Sequence, residues 1–159
     1  MKKLIFSSLL LLFTACTNNS EQISELQKKL DSLQVIVNDS YKPGFGEFMM
    51  NIQIHHSKLW FAGINQNWEL AEFEVQEIKE SLEDIQKFQS EREETKTLPI
   101  IFAPLDSVQY AIDKKSLDKF KQSFDLLTNT CNTCHKTVNF EFNKIKIPDS
   151  PPFSNQKFN

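Results

Sequence analysis

Cys131, Cys134 and His135 are the reactive side chains that stand closest together in this sequence, in a C-x-x-C-H motif. Two cysteines three residues apart lie on neighbouring positions of one helical turn. Their thiols can therefore add to the two vinyl groups of one porphyrin, and the adjacent histidine can turn its imidazole to the iron from the same side. The motif predicts one covalently attached haem c, with Cys131 and Cys134 as thioether donors and His135 as an axial ligand of the iron.

The same cysteines allow two other interpretations. A redox-active dithiol usually begins a helix, where the helix N-terminus lowers the pKa of a thiol, whereas Cys131 continues the apolar pattern of a long helix. A zinc site would combine Cys131 and Cys134 with a histidine from another part of the chain, His55 or His56. The histidine directly after the second cysteine favours haem over both.

The remaining cysteine, Cys16, belongs to an export signal. Lys2 and Lys3 precede an apolar run from Leu4 to Phe13, which is too short to span a bilayer as a permanent helix. The segment resembles a bacterial lipoprotein signal, in which residues 1–15 are removed and Cys16 becomes the lipidated first residue. An ordinary signal peptide is the alternative, and both place the protein outside the cytoplasm.

Length, composition and charge limit what the rest of the chain can be. Its 159 residues favour one compact domain with processing and linker segments. The 14 phenylalanines against 3 glycines indicate a large aromatic core and few tight turns, which favours an all-helical chain. A formal net charge of -3 and a single arginine, Arg92, argue against nucleic acid as a partner, because phosphate binding needs clustered cations.

Residues 16–42 are predicted to connect the lipid anchor to the main domain. Five apolar residues here recur at spacings of three and four and so form one stripe of a helix: Ile23, Leu26, Leu30, Leu33 and Val37. The stripe fits either a short coiled coil or an amphipathic helix lying on the main domain. A coiled coil between two copies would make the protein a homodimer.

Pro43 and Gly44 mark the start of a main domain that covers 43–140. Its apolar residues repeat every three or four positions in four segments, which predicts four amphipathic helices joined by mostly short connections. The first helix runs from Phe45 to about Ala62, and Asn67 is the N-cap of the second. Helices of this number and length favour an antiparallel four-helix bundle in up-down-up-down order.

The second half of the domain carries the motif. Pro104 is expected to open the third helix and Ser116 to cap the fourth, which contains the C-x-x-C-H motif close to its C-terminal end. Up-down-up-down order sets that end near the beginning of the first helix. The tail 141–159 holds too many prolines for a helix, and Phe153 and Phe158 are expected to dock on the bundle.

Most other conspicuous side chains fit a structural role. The acidic residues of the second helix, including Glu74 and Glu77, are expected on its solvated face, so no acid-base pair and no enzymatic activity are predicted. Four aromatic residues on the helical stripes could wall a haem and exclude water, although such side chains are usually core: Trp60, Trp68, Phe120 and Phe124.

The first helix offers ligands for the second axial position of the iron. His135 lies within a turn of the expected end of the fourth helix, so its level on the first helix is one to two turns from the start, where Met49 lies. His56 lies about 10 Å farther along, from a rise of 1.5 Å per residue. Met49 is the predicted sixth ligand and His56 the alternative, although methionine also fills gaps in cores.

With its motif near the end of a four-helix chain, the sequence resembles the class II cytochromes c, the cytochrome c-prime group, over about residues 43–140. The resemblance implies a four-helix bundle that binds one haem through Cys131, Cys134 and His135, with the second axial position facing the first helix. Members of the group often pair through their first two helices, which again makes a homodimer possible.

The expected function is that of a membrane-tethered, monohaem c-type cytochrome that carries single electrons outside the cytoplasm. A methionine opposite the histidine gives six-coordinate iron at a raised potential, whereas an apolar distal side leaves the iron open to small gases. The alternatives are a five-coordinate haem protein that binds or senses NO or CO, and a zinc-stabilised structural lipoprotein. The expected partners are redox proteins of a bacterial cell envelope and the membrane, on the periplasmic or outer-membrane side.

Overall fold

The computed structural model describes residues 20–37 and 43–159, which contain five α-helices, one short 3-10 helix and no strand. The predicted all-α class is confirmed. The chain divides into two units, Met1–Lys42 and Pro43–Asn159. Within the described residues, no helix combines the length and the apolar character needed to cross a membrane. The predicted signal 1–15 and its cysteine, Cys16, lie outside the described residues.

Helix α1 spans residues 20–37, and every residue in it is exposed. Its large apolar side chains are between 57% and 63% exposed: Ile23, Leu26, Leu30, Leu33, Val35, Ile36 and Val37. An ion pair between Glu25 and Lys29, one turn apart with 2.9 Å between oxygen and nitrogen, lies on its polar side. The predicted spacer is therefore helical where it is described, and its pairing with a second copy stays a prediction.

The second unit consists of four helices, with a 3-10 helix, Glu94–Thr97, before the third of them. Their bounds are α2 Phe45–Ile64, α3 Trp68–Phe88, α4 Pro99–Asp113 and α5 Leu117–Thr137. Asn67 caps α3 as predicted, because its side chain accepts a hydrogen bond from the backbone N–H of Leu70. Ser116 lies at the N-cap of α5 without a side-chain capping bond.

The prediction that Pro104 opens the third helix is wrong. Helix α4 begins five residues earlier, at Pro99, and Pro104 lies inside it. Either proline could have opened a helix by the first-turn preference, so the sequence rule alone could not choose between them. The earlier start buries Ile101 beside Leu98 in the core, and this burial explains the choice.

Three of the helices end in tight reversals made without glycine. Gln66, Lys115 and Asn139, which follow α2, α4 and α5, have positive φ angles of 56, 48 and 62°. In each case the next backbone N–H reaches the carbonyl five residues before it, as from Phe140 to His135 at 2.7 Å. This is the Schellman pattern, in which glycine is the usual residue at the left-handed position.

Helix α2 packs mainly on α3 and α4 mainly on α5, while contacts between α3 and α4 and between α2 and α5 complete the unit. The side-chain amide of Gln89 donates a hydrogen bond to the carbonyl of Pro43 at 2.8 Å, so the end of α3 lies at the start of α2. Leu59, Val75, Leu105 and Leu127 are among the fully buried core residues.

One end of this helical domain, here called the tryptophan end, is formed by Trp60, Gly63, Trp68 and Phe120. The Phe120 ring is fully buried and lies 6.2 Å from the rings of both tryptophans, stacked on Trp60 and edge-on to Trp68. A Cβ atom on Gly63 would overlap the Phe120 ring. This glycine therefore permits the close approach of α2 to α5.

Glu74 is fully buried between α2 and α3, so the prediction that it lies on a solvated helix face is wrong. Its carboxylate oxygens lie 2.6 Å from Nδ1 of His55 and 2.6 Å from Nζ of Lys58. Burial of a carboxylate is tolerable where basic partners stand this close, and both partners come from another helix. Glu77 keeps a partly exposed side chain, in agreement with the prediction.

The C-terminal tail follows the prediction for one of the two phenylalanines that were expected to dock. Phe158 is buried and its ring lies 5.7 Å from that of Phe61 on α2. Phe153 is 43% exposed, so its predicted docking is wrong. Apolar type alone could not distinguish the two, because each follows a proline-rich stretch with no periodic pattern.

Candidate functional site

A cavity of about 280 Å³ lies at the other end of the domain, here called the cysteine end. It is lined by all the residues that the sequence singled out for the main-domain site: Met49, His56, Cys131, Cys134 and His135. Much of the remaining wall is apolar, with Ile52, Ile78 and Leu82 among its residues. The volume is close to the lower end of the range of small-molecule sites, about 300–1,000 Å³.

Cys131 and Cys134 project into this cavity from the last two turns of α5 as free thiols. Burial raises the pKa of Cys131 to about 12, helped by the neighbouring Cys134. Burial also raises the pKa of Cys134, and a hydrogen bond with Thr97 opposes part of that rise. Both side chains are therefore neutral thiols, unlike the thiolates of disulfide exchange, which occupy electropositive sites such as helix N-termini.

His135 lines the same cavity and has one ring nitrogen occupied. Its Nδ1 lies 2.6 Å from the backbone carbonyl oxygen of Asn143 in the tail. Because a carbonyl oxygen only accepts, Nδ1 carries the proton and donates it, which leaves Nε2 with a free lone pair. Metal-bound histidines characteristically donate their second ring N–H in this way.

His56, in contrast, has its Nε2 engaged within the protein. This atom lies 2.9 Å from Oγ1 of Thr128, whose own hydroxyl donates to the carbonyl of Phe124 at 2.9 Å. The Thr128 oxygen must therefore accept from His56, which makes Nε2 the protonated nitrogen. Burial lowers the pKa of His56 to about 4, so the ring is neutral at physiological pH.

Met49 is half-buried on α2, lines the cavity and packs against the core. The next residue, Met50, is 55% exposed. A thioether sulfur is a weak hydrogen-bond acceptor, so the sulfur of Met49 would lose little hydrogen bonding if it bound a metal.

The cavity wall also contains residues that were not predicted from the sequence, among them Arg92, Glu94, Phe140 and Asn143. The guanidinium of Arg92 makes a forked contact with the Glu94 carboxylate, at 3.2 Å from Nε and 2.7 Å from the terminal nitrogen. It also lies 5.2 Å from the ring of Phe45. These residues come from the connection before α4 and from the tail, which have no periodic pattern that would have indicated them.

The described residues contain no group of three or more His, Cys, Asp or Glu side chains arranged to hold a metal ion. The zinc interpretation needs such a group, made of both cysteines and either His55 or His56. His55 points instead to Glu74 between α2 and α3.

Comparison with known proteins adds no relative: no protein-family model, curated protein or solved structure matches this chain. The functional conclusion therefore depends on the C-x-x-C-H motif and on the geometry of the cavity.

Proposed function

We propose that this protein is a membrane-tethered, monohaem c-type cytochrome of the class II type, which carries single electrons outside the cytoplasm. One observation carries the proposal: both cysteines of the motif, His135 and Met49 line a single apolar cavity. Met49 is far from the motif in the sequence, and a structural role for the motif would not require Met49 to line the same cavity.

The residues present fit a haem c. Cys131 and Cys134 would hold it through two thioether bonds, each formed when a thiol S–H adds across a vinyl double bond with no atom lost. Nε2 of His135 is the free nitrogen for the iron, since Nδ1 is bonded to Asn143. The bound group supplies a one-electron iron couple.

The residues that line the cavity would serve the bound haem in two ways. Ile52, Leu82 and Leu127 are apolar and would exclude water from a bound haem. Phe140 and Asn143 line the cavity and are exposed, so the cavity reaches the surface where a redox partner can approach.

Met49 is the proposed sixth ligand. The alternative, His56, could bind through Nε2 only by giving up its hydrogen bond to Thr128 in a buried environment, where an unpaired polar group costs about 1–3 kcal/mol, and would otherwise bind through Nδ1. Met49 breaks no such bond. A methionine opposite a histidine raises the reduction potential relative to paired histidines, as electron-transfer cytochromes require.

The finer description of the fold is also part of the proposal. We infer an antiparallel four-helix bundle of α2 to α5, supported by the pairing of consecutive helices and by the contact that closes α2 on α5. The cavity lies where the start of α2 meets the end of α5, as expected for up-down-up-down order.

The tether is proposed from the sequence. A lipidated Cys16 would anchor the protein in a bacterial cell envelope, and the segment 16–42 would tether the haem domain near redox partners at the membrane. The apolar stripe of α1, with residues spaced three and four apart, supports its pairing with a second copy, and hence a homodimer. Envelope redox proteins are the proposed partners.

A gas-binding haem protein is the second candidate, and the apolar wall of the cavity favours it. With the Nε2 of His56 engaged by Thr128, Met49 is the proposed sixth ligand among the described residues that line the cavity. If its sulfur does not reach the iron, the distal position is open to CO or NO.

The test is the absorption spectrum of the mature protein, produced together with a c-type haem maturation system and recorded oxidised, reduced, and reduced under CO. We expect covalently bound haem with sharp low-spin bands that CO does not change. Met49→Leu is expected to give a high-spin, CO-binding protein. Met50→Leu, the matched exposed neighbour, is expected to behave as the wild type.

Each other result has a definite meaning. A wild-type protein without covalent haem would overturn the proposed function. A wild-type protein that is high-spin and binds CO would exclude the six-coordinate electron carrier and establish the second candidate. A low-spin spectrum in Met49→Leu would show that a residue other than Met49 is the sixth ligand, and His56→Leu would be the next variant to test.

A further inference from the structure

The tail that follows α5 turns back over the last turns of that helix. Asn139 adopts its left-handed conformation, and the N–H groups of Asn139 and Phe140 reach back to the carbonyls of Lys136 and His135, at 3.2 and 2.7 Å. The chain then continues without helix, and Ile147 packs against the core. The haem motif is thus covered by the segment 139–147.

Asn132 fastens this segment by two hydrogen bonds to one residue. Its side-chain amide donates to the carbonyl of Ile145 at 2.8 Å, and its Oδ1 accepts from the N–H of Ile145, also at 2.8 Å. The amide therefore satisfies both backbone groups of Ile145, as a neighbouring strand would. Thr133, the other variable residue of the motif, bonds only back along α5 to the carbonyl of Asn129.

The segment so fastened holds the acceptor for His135. The Asn143 carbonyl, two residues before Ile145, accepts the Nδ1 proton of His135 at 2.6 Å. Asn132 and His135 lie on neighbouring positions of one helical turn, so both side chains face the same segment of the tail. Acceptors in this position fix the histidine ring and increase its basicity toward the metal.

We propose that Asn132 and the tail segment 139–147 form a positioning device that sets the donor strength of His135. The inference rests on the proposed function, since it concerns the residue that would bind the haem iron. A more basic histidine stabilises the oxidised iron, so the device lowers the reduction potential. Release of the tail leaves Nδ1 to water and is expected to raise the potential.

Two variants release the tail by different routes. Asn132→Ala removes both bonds to Ile145. Ile145→Pro removes the backbone donor and leaves the C-x-x-C-H motif unchanged, so it covers the case in which a change at 132 impairs folding or haem attachment. Asn129→Ala is the matched control, because Asn129 is exposed on the preceding turn of α5 and bonds only to Asp125 with its side chain.

Three quantities are measured on each mature protein: covalent haem per chain, hydrogen exchange of the tail amides, and the midpoint reduction potential. We expect full haem content throughout. In Asn132→Ala and Ile145→Pro, the amides of 139–147 should exchange faster, and the ratio of reduced to oxidised protein at a fixed ambient potential should rise about tenfold, which is about 59 mV for one electron. Asn129→Ala should match the wild type in all three.

Faster exchange with an unchanged potential would overturn the inference and leave the proposed function intact. Unchanged hydrogen exchange of the tail amides in both variants would show that Asn132 does not hold the tail. This result would also overturn the inference. Absence of covalent haem from the wild type would overturn the proposed function and this inference together.

Discussion

The tryptophan end and the cysteine end of the helical domain are built from the same kind of apolar helical stripe. Their side chains are packed closely at the tryptophan end and leave a cavity at the cysteine end. At the tryptophan end, Phe120 is packed between two tryptophans and lies against Gly63 without room for a Cβ atom. At the cysteine end, the side chains stand apart around a cavity of about 280 Å³, and a Cβ on Gly46 would meet no atom within 4 Å.

Within one domain, the residues that contribute most to stability therefore lie at one end and the residues of the proposed binding site lie at the other. Close packing at the tryptophan end contributes most to stability per residue, because the energy of dispersion contacts falls steeply when small gaps open between atoms. Atoms that line a cavity lack partners on one side, so the cysteine end contributes less to stability than the tryptophan end. The chemistry-bearing residues all belong to the less packed end.

The largest expected effect compares two phenylalanines, one from each end. We expect Phe120→Ala to lower the free energy of unfolding by about 3–5 kcal/mol, because it opens a void in the packed end. Phe45→Ala removes part of a wall that already faces a cavity, and should cost about 1–2 kcal/mol. Urea unfolding of protein produced without haem maturation measures both. Equal losses would remove the distinction between the ends.

His56 stands at the border of the two ends, with the cavity on one side and the Phe124 ring 4.4 Å away on the other. Burial lowers its pKa from 6.5 to about 4 in the folded state, so the unfolded chain binds the proton more tightly. The folded state should therefore lose roughly 3 kcal/mol as the pH falls through that interval. His56→Gln should flatten this part of the pH profile, and an unchanged slope would assign it to other groups.

The two helical glycines provide a matched pair of substitutions. Gly63→Ala should cost about 1–3 kcal/mol, since the Phe120 ring must move from its packed position. Gly46→Ala adds a methyl to open space in a helix and should leave stability unchanged or raise it by up to about 1 kcal/mol. Thermal unfolding compares them, and a destabilised Gly46→Ala would mean that the cavity wall is tighter than its geometry indicates.

The smallest expected effects come from the reversals at each end. Lys115 follows α4 at the tryptophan end with a φ of 48°, where a side chain is strained, so Lys115→Gly should raise stability by about 0.5–1 kcal/mol. Asn139 follows α5 at the cysteine end and tolerates the left-handed region better, so Asn139→Gly should gain less. A greater gain at Asn139 would contradict this order.

Much of the fold was predictable because its signals are local. The all-helical class was predicted from composition and periodicity, and the start of α3 from Asn67, whose side chain bonds within its own first turn. The errors occurred where local rules allow more than one answer or where a distant partner decides. Pro99 and Pro104 both satisfy the rule for helix starts, and Glu74 is buried because His55 and Lys58 face it from another helix.

The candidate site divides in the same way. The motif residues Cys131, Cys134 and His135 stand within one turn of a helix, so the sequence by itself determined which side chains are available for chemistry. The tertiary structure alone decided that His56 is occupied by Thr128, and that the Asn143 carbonyl faces His135. Spacing along the chain constrains neighbours on one helix, whereas contacts between segments depend on how whole helices and the tail pack, which no local pattern encodes.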